Sequence, residues 1–349
     1  MKPTFRWYGP SDQVTLANIR QIPGVNGIVS ALFDVPIGDV WPRDALACVG
    51  ECITDAGFQF AVVESIPVHE DIKLGRPTRD RLLDNYCRSV QHMGELGIPV
   101  LCYNFMPIFD WTRTDLAQRL PDGSRTLAFD NEALARIDLS RGSGSLPGWA
   151  AAYDAAELGA LLTAYRSLDA ERLWENLAYF LHRVAPVAQS VGVKMALHPD
   201  DPPWSIFGLP RIITDLDALL RVVSLADSDA NGITFCTGSL GALPSNDLPT
   251  MIRRLGSRTH FAHCRNVRVT APGVFHETPH PSAQGDVNML NVLRALRDVG
   301  FTGPMRPDHG RMIWGEQGRP GYGLYDRALG AMYLQGLWEA LTNGTADRP

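Results

Sequence analysis

The chain has 349 residues, 45% of them hydrophobic and 20% charged. That is the profile of a packed globular protein, long enough for one large barrel or two ordinary domains, and it excludes a disordered or collagen-like chain. A net charge of −6 argues against nucleic acid or an anionic membrane as the main partner.

Taken in chain order, eight short apolar runs read as strands: Phe5–Tyr8, Gly27–Ala31, Phe60–Glu64, Val100–Phe105, Val193–His198, Gly232–Cys236, Thr259–Arg265 and Pro304–Asp308. Between them lie stretches such as RDALACVGECITDAG, AERLWENLAYFLHRVAPVAQSVG and VNMLNVLRALRDVG, where apolar residues recur at the helical period. Several of these run into a glycine, at Gly57, Gly97, Gly192 and Gly300, the residue that most readily takes the left-handed turn ending a helix. Eight strands alternating with helices predict a (β/α)8 TIM barrel forming one domain over 1–349. A doubly wound sheet would need a nucleotide-type glycine loop after an early strand. The richest glycine cluster, Arg141-Gly142-Ser143-Gly144-Ser145, follows no strand.

The alternation breaks once. Residues 106–168 show only loop-like sequence and one helix around Ala151–Tyr165. An insertion of this length after the fourth strand is expected to be a cap over the catalytic end or an oligomer contact. No run approaches the about 18 apolar residues of a membrane span. The opening MKPTFRWYGPSDQ lacks the apolar core of a secretory leader, so a cytoplasmic protein is expected.

Barrel active sites form at the C-terminal strand ends. Four successive strands end in metal-ligating side chains: His198 in KMALHPDDPP, Cys236 in GITFCTGSLG, His263 in THFAHCRNV and Asp308 in GPMRPDHG. A lone histidine at a strand end is more often a satisfied polar residue, and a lone cysteine a small core hydrophobe. Four in consecutive positions point to a metal site. Two imidazoles, a thiolate and a carboxylate suit zinc, iron or manganese. Strand alternation adds Arg265 to the His263 face and Arg306 to the Asp308 face. The remaining cysteines (Cys48, Cys52, Cys87, Cys102, Cys264) have irregular spacing and read as reduced thiols.

The stretches FRWYGP, HPDDPP, FCTGSLGA, HFAHCRNV, FHETPHPSAQGDVNM, MRPDHGRMIWGEQ and RPGYGLYDRALG run from the first strand to the last helix. In them the chain resembles the mannonate dehydratases, a xylose-isomerase-like barrel family. The resemblance implies dehydration of D-mannonate to 2-keto-3-deoxy-D-gluconate in hexuronate catabolism, with Mn2+ or Fe2+. It places the ligands on His198, Cys236, His263 and Asp308, the acid–base pair on His309 and Tyr322, and Arg306 beside the metal. A base for the C2 proton and an acid for the departing C3 hydroxyl are what such a reaction needs; His309 is expected as base and Tyr322 as acid.

Arg265, Asn104, Glu277 and His280 are expected to meet the sugar acid, the last two from the loop after the seventh strand. Asp200 and Asp201 are expected either to orient His198 or to cap the turn beside Pro202 and Pro203. His69, His92, His182, His260 and His276 read as structural or surface residues. A homo-oligomer, most simply a dimer, is the expected assembly. Two rival functions remain at this level: a metal-dependent sugar isomerase or epimerase on the same barrel, and a silent sugar-acid-binding protein. The first favours carboxylate-rich coordination, and the second would not need both His309 and Tyr322.

Overall fold

The computed structural model describes residues 1–141 and 153–343. Its strands are β1 (Lys2–Arg6), β2 (Gly27–Ser30), β3 (Gln59–Glu64), β4 (Val100–Tyr103), β5 (Asp115–Arg119), β6 (Arg125–Asp130), β7 (Lys194–Leu197), β8 (Asn231–Cys236), β9 (Thr259–Cys264), β10 (Asn266–Ala271), β11 (Val274–Thr278) and β12 (Pro304–Pro307). Eight of them close a parallel barrel in the order β1-β12-β9-β8-β7-β4-β3-β2. These are the eight runs read from the sequence, each within a few residues. β8 and β9 are buried along their whole length, as parallel strands covered by helices on one side and barrel interior on the other must be.

Helices return the chain between strands. Helix Ala170–Ser190 starts at Asp169, whose side chain accepts the Arg172 N–H, and buries a continuous apolar face. Gly57, Gly97, Gly192 and Gly300 each take positive φ at the helix ends predicted for them. Among the described residues, no helix is long and apolar enough to cross a membrane.

The insertion differs from its reading as loop plus one helix. That helix exists, over Ala155–Tyr165 behind an Asp154/Glu157 capping box, and Gly142–Ser145 lie outside the described residues. The same segment also carries β5 and β6, which join β10 and β11 in a four-stranded antiparallel sheet ordered β10-β11-β6-β5. β5 is a polar edge strand with alternating, shallow burial, so it lacks the apolar run that marks a strand.

A buried charge cluster ties the insertion to the barrel. Lys73 Nζ lies 2.7 Å from Glu70 Oε1 and 2.7 Å from the Met106 carbonyl. The other Glu70 oxygen accepts from Tyr165 Oη at 2.5 Å and from the Ile108 N–H at 3.2 Å. Removing one member of a buried pair strands the other charge. Lys73→Met is therefore expected to lower unfolding stability by about 3–5 kcal/mol, and adding Glu70→Gln to recover part of that loss. Urea unfolding of the single and double variants checks both.

Candidate active site

The four expected ligands arrive from neighbouring strands at one rim. His198 follows β7, Cys236 ends β8, His263 is next to last in β9 and Asp308 follows β12. Register sets Cys236 beside His263, and His263 beside Arg306. Ligand atoms of His198, Cys236 and His263 lie within 4.8 Å of one another. Asp308 lies beside two of them, with Oδ2 3.7 Å from Cys236 Sγ and Oδ1 3.5 Å from His263 Nδ1.

Each of these side chains is held. His198 Nδ1 lies 2.7 Å from the Pro199 carbonyl; that nitrogen donates, and Nε2 presents its lone pair. The two aspartates expected nearby do other work. Asp200 accepts from the Ile213 N–H at 2.9 Å, while Asp201 pairs with Arg113 at 2.8 Å and Arg265 at 2.6 Å. Cys236 Sγ accepts from Ser239 N at 3.4 Å and Ser239 Oγ at 3.2 Å, donors that suit a negatively charged sulfur.

Asp308 forms an ion pair with Arg306 Nη2 at 2.7 Å and accepts from Arg265 Nη1 at 2.9 Å. Burial alone would raise its pKa; the surrounding Arg306, His309, His263 and Arg265 charges outweigh that and hold it well below the usual range. His263 receives Arg306 Nε on Nε2 at 3.2 Å, and its Nδ1 is buried with no hydrogen-bond partner.

His309 and Tyr322 meet beside this group. His309 Nε2 and Tyr322 Oη are 2.9 Å apart, and His309 Nδ1 lies 2.9 and 3.0 Å from the two Glu277 oxygens. Burial opposes ionisation of Glu277, but His309, Arg265 and Arg113 overcome it and lower the pKa to about 2. An ionised Glu277 accepts a hydrogen bond from Nδ1–H, so Nε2 accepts from the phenol. Burial pushes the Tyr322 pKa well above its ordinary value, which keeps that phenol protonated near neutrality. Trp111 packs edge-on to His309 with ring centres 5.3 Å apart.

A cavity of about 500 Å³ opens over these groups, walled by Asn104, Asp110, Trp111, His198, Asp308 and Tyr322 among others. Arg265 and Asn104 reach it as expected, Asn104 donating to Asp110 at 2.8 Å. Glu277 does not act as a sugar-facing loop residue. It sits on β11, 3% exposed, with its oxygens taken by Arg113, at 2.7 Å, and His309. His280 is likewise misplaced by the sequence reading: it is buried against Gly330, outside the cavity wall. The five histidines read as structural behave so; His260, for example, bonds the Met195 carbonyl at 2.8 Å.

Sequence reasoning missed Arg6, Glu64, Asp110, Trp111 and Arg113. Arg6 and Glu64 end β1 and β3, so the strand-end rule applied to the first half of the barrel would have found them. A larger cavity of about 840 Å³ lies at the opposite rim, lined by strand-start residues such as Lys2, Gln59, Lys194 and Pro304. The groups able to hold a metal, among the described residues, all gather at the other end.

A closed parallel barrel of eight strands, with His198, Cys236, His263 and Asp308 gathered at one rim, is the fold of the xylose-isomerase-like TIM barrels. The fold likeness is direct: a xylose isomerase domain protein from Planctomyces limnophilus superposes with TM-score 0.58 at 13% identity, over 98% of this chain and 99% of that one. The sequence profile of the D-mannonate dehydratase family matches residues 1–348. Mannonate dehydratase 2 of Halalkalibacterium halodurans is 54% identical over 98% of this chain and all of its own length. The mannonate dehydratase of Streptococcus uberis is 54% identical over 98% of this chain and 99% of its own. The crystal structure of mannonate dehydratase from Streptococcus suis superposes with TM-score 0.93 at 48% identity, covering 100% of this chain and 97% of that one. The chain belongs to the D-mannonate dehydratase family, and with it to the hydro-lyases.

The depressed carboxylates set an acid limit. Glu277 falls from 4.5 to about 2, and Glu64, Asp201 and Asp308 are also lowered by their arginines. A folded value below the unfolded one means that the unfolded chain binds protons first. Stability from these groups is therefore complete above about pH 4.5 and lost as pH falls toward 2. Thermal unfolding followed from pH 7 to pH 2 is expected to show this decline beginning near pH 4.5.

Proposed function

We propose that this protein dehydrates D-mannonate to 2-keto-3-deoxy-D-gluconate and water, as a step of hexuronate catabolism in the cytoplasm. The observation that carries the reading is the Glu277–His309–Tyr322 chain, with its 2.9 Å imidazole–phenol bond, set beside His198, Cys236, His263 and Asp308.

Those four residues would hold Mn2+ or Fe2+. The fit rests on two buried atoms without partners, His263 Nδ1 and Glu64 Oε2. If Nδ1 held the metal, Nε2 would carry the ring proton and could donate it to Glu64 Oε2, 3.6 Å away in this structure, in place of accepting from Arg306. Both orphans are then satisfied, in the carboxylate–histidine–metal pattern. When bound, the metal supplies positive charge against the negative charge that develops beside the substrate carboxylate.

The protein's own groups move the protons. His309 Nε2 takes the C2 proton. Tyr322 gives its phenolic proton to the C3 hydroxyl, which leaves as water with the C3–O bonding pair, while the C2–H pair becomes the C2–C3 double bond. The enol so formed tautomerises to the 2-keto acid. His309 then returns its proton to Tyr322 across their shared hydrogen bond. Base and acid are neighbours, so both work from one face of the substrate. A homodimer is supported by an exposed apolar face on which Trp314 packs, tilted, against Tyr325, with Leu329 and Met332 on the same helix as Tyr325.

His309→Asn and Tyr322→Phe are each expected to cost about 10²-fold or more in turnover with metal content unchanged; activity near wild type in either removes that residue from the mechanism. With His309 as base, exchange of the C2 hydrogen with solvent deuterium stops in His309→Asn. Exchange surviving there but lost in Tyr322→Phe reverses the roles. Cys236→Ser is expected to weaken metal retention, because an alcohol does not ionise near neutrality as a metal-bound thiol does. Metal analysis after dialysis against a mild chelator reads this directly.

A further inference from the structure

We infer that Arg6 binds the carboxylate of the sugar acid and so separates aldonates from neutral sugars; the inference rests on the dehydratase reading above. Arg6 ends β1, the strand paired with β12, at the rim that carries the ligand cluster. The residue is 7% exposed and lines the cavity, yet its Nε and Nη1 make no hydrogen bond.

The nearest carboxylate does not meet that need. Arg6 Nη1 lies 3.6 Å from Glu64 Oε2, beyond hydrogen-bond reach, and Glu64 Oε1 already accepts from Arg306 at 2.9 Å. Other cations in the wall are engaged. Arg306 serves Glu64 and Asp308, Arg265 serves Asp201 and Asp308, and Lys73 serves Glu70 and the Met106 carbonyl. A buried guanidinium with unmade hydrogen bonds costs free energy that an incoming anion removes. D-Mannonate brings one anionic group, and a planar carboxylate matches the guanidinium fork.

The position agrees with the chemistry. The Arg6 guanidinium lies 4.7 Å from the centre of the Tyr8 ring. Tyr8 in turn packs edge-on to Tyr322 at 4.9 Å, and Tyr322 to His309 at 4.8 Å. An anion on Arg6 is thus one aromatic ring from the acid–base pair. Holding C1 there leaves C2 and C3, the carbons that lose the proton and the hydroxyl, as the next atoms along the chain. Arg319 also lies over the Tyr8 ring, at 4.2 Å, but it is exposed and draws anions toward the mouth without fixing them.

The test compares D-mannonate with its neutral amide, D-mannonamide, on wild type, Arg6→Gln and Arg6→Lys. Arg6→Gln is expected to raise KM for D-mannonate by about 10- to 100-fold, the loss of hydrogen bonds to a charged group, and to leave the inhibition constant of the amide unchanged. Arg6→Lys, which keeps a charge and preserves folding if the glutamine variant does not, retains more of the preference for the acid. Equal weakening of acid and amide would overturn the inference and make Arg6 a packing residue of the wall; so would an unchanged KM for D-mannonate. If wild type itself does not dehydrate D-mannonate, the functional reading has failed separately. Calorimetric binding of acid and amide to the same three proteins then still decides whether Arg6 recognises the carboxylate.

Discussion

Burying carboxylates at one end of a barrel is unfavourable unless cations are buried with them. Arg265 answers that constraint for most of this site. It pairs with Asp201 at 2.6 Å and Asp308 at 2.9 Å, and approaches Glu277 at 3.7 Å. Asp308 stands beside Cys236 and His263, Glu277 holds His309, and Asp201 anchors Arg113 from the insertion. One side chain therefore sets the relation between the cysteine–histidine cluster, the His309–Tyr322 pair and the wall. The local sequence shows the cost in space: a Cβ on Gly238, in FCTGSLG, would run into the Arg265 guanidinium, so that position has room only for hydrogen.

The second half of the barrel was legible because periodicity and chemistry coincided. The ends of β7, β8, β9 and β12 each carry a metal-ligating residue, and their spacing equals the strand–helix repeat. The first half carries single ions, Arg6 and Glu64, which have no meaning until the barrel closes and brings them against Arg306 and His263. The small sheet was legible in part only. In NVRVTAPGVFHET, valines alternate with polar residues on one side of Pro272-Gly273 and VFHET follows on the other, a hairpin signal hidden by reading the whole excursion as loop. That misreading set Glu277 against the sugar and away from its true partner, His309. Its other partner, Arg113, comes from a stretch with no periodic pattern, so nothing local announces it.

The sheet also explains what the insertion does. β6 pairs with β11, the strand that bears Glu277, and the Thr114 N–H just before β5 bonds the Ala128 carbonyl of β6 at 2.9 Å. Arg113, one residue earlier, is thereby fixed against both Asp201 and Glu277. The segment after β4 is continuous with the excursion after β9. Together they form the support behind His309 as well as the wall bearing Asp110 and Trp111.

The two halves of the chemistry are encoded at different ranges. The cluster of His198, Cys236, His263 and Asp308 needs four strands of the barrel's second half, and it exists only once they lie side by side. The His309–Tyr322 pair is local. His309 follows Asp308 directly, the Gly310 N–H bonds the Gly321 carbonyl at 2.9 Å, and Tyr322 comes next. Gly321 has φ +81°, a left-handed turn that a side chain would strain, and a Cβ there would also press on Leu127. That backbone bond pins the base of the loop, and the turn aims the phenol at the imidazole. The spacing of His309 and Tyr322 thus follows from one short segment. What the barrel adds is its placement against Asp308, and through Arg265 its registration with everything else.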